Sequence, residues 1–118
     1  MKIIQKGLLL EGEKYYEKHL EIINPFLPVQ FTNMEIKVLA LFMSFEGEVA
    51  KEDRFGTSLR KMAMNKLKIE APGLSNYITA LKKKGAIVTQ LNGTLDILPL
   101  LLSEDREQFY QFKLIKKI

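Results

Sequence analysis

Residues 57–85 carry Arg60, Lys61, Lys66, Lys68, Lys82, Lys83 and Lys84 against Glu70 alone, a local balance of +6. Residues 1–56 balance at −2 and residues 86–118 at zero, so the net charge of +4 comes from this stretch. Cations gathered on one unit are the electrostatic footprint of a surface that binds phosphates. A solvated basic face is the plainer reading of the same charges.

Other chemistry is sparse. His19 is the only histidine. It falls among Glu17, Lys18 and Glu21 and is expected on the surface, passive. The chain has no cysteine, which removes disulfides and thiolate metal sites, and a transition metal would lack its usual ligands. Glu46, Glu48, Glu52 and Asp53 lack the alternating spacing and closing glutamate of a calcium loop, so they read as a solvated loop. Gly47, Gly56, Gly73, Gly85 and Gly93 form no phosphate cradle. Met34, Met43, Met62 and Met64 recur at helical spacing and read as core filler. No enzyme, metal or cofactor is expected.

These residues need elements to hold them. The 118 residues, 47% apolar, suit one domain spanning 1–118. No apolar run approaches the ~20 residues that span a bilayer. The N-terminal stretch is too interrupted for a signal peptide. A soluble, cytoplasmic protein with no membrane partner is expected.

Residues 2–10 read as a strand. Residues 13–23 read as a helix burying Tyr16, Leu20 and Ile23, with Lys14/Glu17 and Lys18/Glu21 paired one turn apart. Asn24-Pro25 ends it. Phe26 to Val29 form an extended connector against the core. Thr32 and Glu35 make a capping box for a helix that is apolar nearly all round and belongs at the centre. Residues 46–56 form a charged connection with a short strand at Val49-Ala50. Thr57 or Ser58 caps the next helix, which buries Leu59, Met62, Ala63 and Leu67. Glu70 caps helix 71–84, which buries Leu74, Ile78 and Leu81 and ends at Gly85. Ile87–Leu91 and Thr94–Leu98 flank Asn92-Gly93, a strong hairpin signal. A two-residue loop would set Val88 opposite Ile97. From Phe109 the alternation suggests a final strand, with residues 2–10 as a candidate partner; a terminal helix is the alternative.

The order over residues 32–98 resembles the winged helix-turn-helix family. The carriers are Thr32 to Leu39, Leu67-Lys68-Ile69, Leu74-Ser75-Asn76-Tyr77-Ile78, Leu81, Gly85-Ala86-Ile87 and the Asn-Gly hairpin. The expected fold is therefore α+β: a three-helix winged helix-turn-helix core with a C-terminal hairpin wing, plus an N-terminal strand and helix and a C-terminal strand. The layout also looks like small winged-helix proteins of tailed phages.

The resemblance implies a DNA-binding regulator of transcription, or a DNA-organising factor, of bacterial or phage origin. Its partner would be double-stranded DNA and its place the cytoplasm of the bacterial or infected cell. Helix 71–84 would enter the major groove and present Gly73, Ser75, Asn76, Thr79, Lys82 and Lys83. Asn76 can pair bidentately with adenine. Arg60, Lys61 and Lys66 would contact the backbone. Residues 86–98 depart from the pattern, with no basic residue and one acid, Asp96. A neutral wing also suits a protein–protein module, such as a phage assembly component or polymerase-associated adaptor. That module would dock through Leu95, Ile97, Leu100, Leu101 and Leu102. The leucines folding back onto the core is the alternative. A homodimer through helix 13–23 or the terminal strands is also open.

Overall fold

Thr32 opens the helix on which the rest of the chain packs. The computed structural model describes residues 7–102 and 108–117. The Thr32 hydroxyl accepts from the Glu35 N–H at 3.2 Å, and the Glu35 carboxylate accepts from the Thr32 N–H at 2.8 Å. The capping box is therefore present. The helix it starts buries Ile36 and every residue from Val38 to Met43.

Among the described residues, five α-helices precede a two-stranded antiparallel hairpin. They are α1 (Gly12–Ile23), α2 (Asn33–Ser44), α3 (Glu48–Asp53), α4 (Thr57–Leu67) and α5 (Ala71–Lys83). The strands are β1 (Ile87–Thr89) and β2 (Leu95–Ile97). The core draws Leu20 from α1, the body of α2, Leu59 and Ala63 from α4, and Leu74, Ile78 and Leu81 from α5. Ile87, Ile97 and Leu101 close it. Lys14–Glu17 and Lys18–Glu21 pair along α1 at 3.4 and 3.1 Å.

The turn between α4 and α5 is three residues long. Lys68 takes a left-handed conformation (φ 54°), and the Ile69 N–H closes back on the Met64 carbonyl at 3.2 Å. Gly85 ends α5 as its sequence position predicts, with φ 82°. The Ala86 N–H then reaches the Leu81 carbonyl at 2.9 Å.

Several local expectations are corrected. Residues 48–53, expected as a loop with a short strand, form α3, which buries Ala50 and exposes Val49. Gly56, not Thr57 or Ser58, occupies the N-cap of α4. Glu70 sits at the N-cap of α5 without a side-chain capping bond. Met62 is exposed rather than core. Asn24–Phe26 make a 3₁₀ turn, and Phe26 and Val29 face solvent. The Asn24 side chain instead holds both the N–H and the carbonyl of Phe31.

The hairpin is one residue out of the expected register. Ile87 faces Ile97, Val88 faces Asp96 and Thr89 faces Leu95. The loop is three residues, Leu91-Asn92-Gly93. The Asn92 side chain accepts from the Thr94 N–H at 3.0 Å and its hydroxyl at 2.7 Å, folding a local turn ahead of the strand. Gly93, at φ 87°, absorbs the extra residue. This register faces the two isoleucines inward together, and a one-residue slip would turn one of them out.

Both terminal strands are corrected as well. Residues 7–10 form no strand; residues 2–6 of that expectation lie outside the described residues. Residues 108–117 form neither strand nor helix. Of this segment, Tyr110 lies against α1 and Phe112 against the 3₁₀ turn, while Leu114, next in the alternation, is exposed. The Tyr110 hydroxyl meets His19 Nδ1 at 2.5 Å, and the Phe112 ring stacks on Phe26 with centroids 4.5 Å apart. His19 is consequently buried, against the expectation of a surface residue. Its Nε2 donates to the Leu101 carbonyl at 2.8 Å, which leaves Nδ1 to accept from Tyr110.

Burial pushes the Tyr110 phenol above its usual pKa of 10.0, with Tyr15 adding to the shift. A raised phenol pKa contributes stability that is full below pH 10 and lost as pH rises through the folded value. Tyr110→Phe should therefore flatten the alkaline end of a stability-versus-pH profile measured by urea unfolding. His19→Ala should cost about 2 kcal/mol, because it strands two hydrogen-bonding partners. The two changes together should cost less than their sum.

Candidate nucleic-acid interface

Leu74, Ile78 and Leu81 anchor α5 in the core and so fix its outward face. Ser75, Asn76, Thr79, Lys82 and Lys83 all lie on that face and are exposed. The spacing 75, 76, 79, 82, 83 keeps them on one face along just over two turns. Among the described residues nothing engages the side chains of Ser75, Asn76 or Thr79, and no carboxylate pairs with Lys82 or Lys83. Gly73 is half-buried, and a Cβ there would meet nothing within 4 Å. Its lack of a side chain is not demanded by packing. Tyr77 is half-buried against the core.

Lys61 and Lys66 of α4 are exposed and unpaired among the described residues. Arg60 is half-buried, and its Nε donates to the Phe55 carbonyl at 2.6 Å. It ties α4 to the preceding loop and has only part of its guanidinium left for a phosphate.

The lysine run at the end of α5 splits by function. Lys82 and Lys83 point out. Lys84 turns inward, and its Nζ lies 2.5 Å from Glu35 Oε1 and 3.0 Å from the Gln30 carbonyl. Burial raises the Glu35 pKa, but Lys84 and the Thr32 capping bonds outweigh it and hold the carboxyl below its ordinary 4.5. Lys84 thus fixes the end of α5 to the start of α2 and leaves the basic face smaller by one charge.

The hairpin carries no cation. Its one acid, Asp96, accepts from Arg54 Nε at 3.2 Å. Arg54 Nη1 also donates to the Phe42 and Phe45 carbonyls at 2.9 and 3.1 Å. One guanidinium therefore satisfies the end of α2 and fixes the hairpin to it. The sequence gives no signal for Arg54 beyond its place in a charged run.

The apolar residues beside the hairpin do not form a surface patch. Ile97 and Leu101 are core residues, each 2% exposed. Leu95 and Leu102 are half-buried against them, and only Leu100 stands out. Leu91 is fully exposed at the hairpin tip.

Among the described residues no group of three or more His, Asp or Glu could hold a metal. No described helix is long and apolar enough to cross a membrane. No protein-family model matches the sequence, and no curated protein or solved structure shows significant similarity to it.

Proposed function

We propose that this protein binds double-stranded DNA as a winged-helix module, a transcriptional regulator or DNA-organising factor of bacterial or phage origin. The observation that carries the reading is the outward face of α5. Its hydrogen-bonding side chains have no partner among the described residues, and its two lysines are unneutralised there. An α-helix fits the major groove, where amides and hydroxyls read base edges and cations hold phosphates. Asn76 and Thr79 are the candidates for base contacts. Lys82, Lys83, Lys61 and Lys66 are the candidates for backbone contacts. Gly73 and Ser75, at the start of the helix, would let it approach a strand closely. The neutral hairpin would add little, since the minor groove attracts cations.

A second reading rests on the hairpin. Leu91 at its tip and Leu100 at its base are exposed, and no cation accompanies them. This suits a protein partner, with the basic face meeting an acidic surface. Asn76→Ala separates the readings. In the DNA reading it costs about 1–3 kcal/mol on a preferred site selected from random duplexes and relaxes the base preference there. Unchanged affinity and preference, with a loss of partner binding on Leu91→Glu, would favour the second.

A further inference from the structure

We infer, resting on the duplex-binding reading, that residues 113–117 form a basic arm that holds the DNA backbone beside the C-terminal end of α5. Lys113, Lys116 and Lys117 are exposed, and no carboxylate among the described residues pairs with any of them. Residues 108–117 contain no acid, so these three lysines are uncompensated within the segment. Between them Leu114 is 101% exposed and Ile115 78%. Five consecutive side chains are thus left outside the core.

The root of the arm is anchored within reach of Lys82 and Lys83. The Tyr110 hydroxyl meets His19, and the Phe112 ring stacks on Phe26 of the 3₁₀ turn. The Asn24 side chain clasps both backbone groups of Phe31 and closes residues 24–31 into one loop. Gln30 belongs to that loop, and its carbonyl accepts from Lys84 Nζ at 3.0 Å. Phe26 and Gln30 are four positions apart, a span of at most about 14 Å. The five residues after Phe112 reach about 17 Å when extended. The arm is therefore long enough to come alongside the end of α5, where Lys82 and Lys83 are exposed. Its three lysines and those two make five cations at one end of the α5 face. A duplex backbone is the polyanion that neutralises such a set. The hairpin, without a cation, cannot supply these contacts. Leu114 and Ile115 suit a groove, where aliphatic side chains pack against base steps. A segment fixed at its root also loses less freedom on binding than a free tail.

Duplex titrations of the full chain at several salt concentrations test this, with Lys113, Lys116 and Lys117 all changed to Gln. The triple variant should bind about tenfold or more weakly at low salt and flatten the log–log salt slope by about three. Its far-UV spectrum and urea midpoint should not move, because these lysines make no ion pair among the described residues. Adding Lys82→Ala with Lys83→Ala should remove a further two or so units of slope, since both sets hold one duplex. Lys14→Gln with Lys18→Gln is the control. Those lysines pair with Glu17 and Glu21 on α1, and the slope should stay as it was. The chain has no cysteine, so Ile115→Cys takes a single fluorophore. Its signal should change with duplex at the same midpoint as the anisotropy. An intact chain that binds duplex steeply with salt, matched by the triple variant, would overturn the arm and leave the α5 reading standing. An intact chain that binds no duplex at low salt would overturn both. Binding to phosphatidylserine vesicles that the triple variant loses, with duplex binding untouched, would overturn the arm in favour of a lipid surface.

Discussion

Lys84→Ala is expected to lower folding stability by about 3 kcal/mol at neutral pH, the largest single loss from any lysine among the described residues. The ammonium is the only cation paired with Glu35 among the described residues, and Glu35 is 5% exposed. Removing it leaves a buried carboxylate with only the Thr32 bonds. The pH dependence gives a second readout. With Lys84 present, the depressed Glu35 pKa means its contribution is full above 4.5 and lost as pH falls through the folded value. Without Lys84, burial favours the protonated acid, so the deficit should shrink as pH drops below 4.5. Urea unfolding of both proteins between acid and neutral pH checks this. A loss below about 0.5 kcal/mol would mean that the pair behaves as an exposed surface bridge.

Lys82→Ala with Lys83→Ala should weaken duplex binding by about tenfold or more at low salt and leave stability nearly unchanged. Both side chains are exposed and have no ion-pair partner among the described residues, so the folded state loses little. Each lysine that neutralises a phosphate contributes about one unit to the log–log salt slope, so the double variant should flatten it by about two. The effect should be similar on all duplex sequences, in contrast to Asn76→Ala. Titration of one labelled duplex at several salt concentrations measures it. Lys84→Ala is the control: adjacent in sequence, it should disturb stability far more than the salt slope.

That contrast shows where the sequence was legible. Lys82, Lys83 and Lys84 look alike as a run. The phase of α5 separates them, but the partner that claims Lys84 is Glu35, 49 residues away. Features closed by neighbours were readable. The Thr32/Glu35 box, the α1 ion pairs, the end of α5 at Gly85 and the presence of a hairpin each depend on residues within a few positions. Features closed at a distance were not. His19 looked like a solvated residue because its partners, Tyr110 and Leu101, are 91 and 82 residues along the chain. The C-terminal alternation suggested a strand, yet alternation names only an inward face. Here Tyr110 met α1 and Phe112 the 3₁₀ turn, and Leu114 stayed exposed. The hairpin register failed for a local reason: Asn-Gly favours a two-residue loop, and the Asn92 bonds to Thr94 shifted it by one. Of the candidate site, the outward row on α5 was readable from helical phase. The internal commitments of Arg60 and Lys84, and the burial of Ile97 and Leu101, were not.

The central claim is that the open face of α5 binds duplex DNA. Fluorescence anisotropy of a labelled mixed-sequence duplex, titrated with the folded protein at two salt concentrations, tests it most directly. Saturable binding at low salt that weakens steeply at the higher concentration is the expected result. A folded protein that leaves the anisotropy flat at low salt would contradict it and reduce the lysines of α5 to a solvated face.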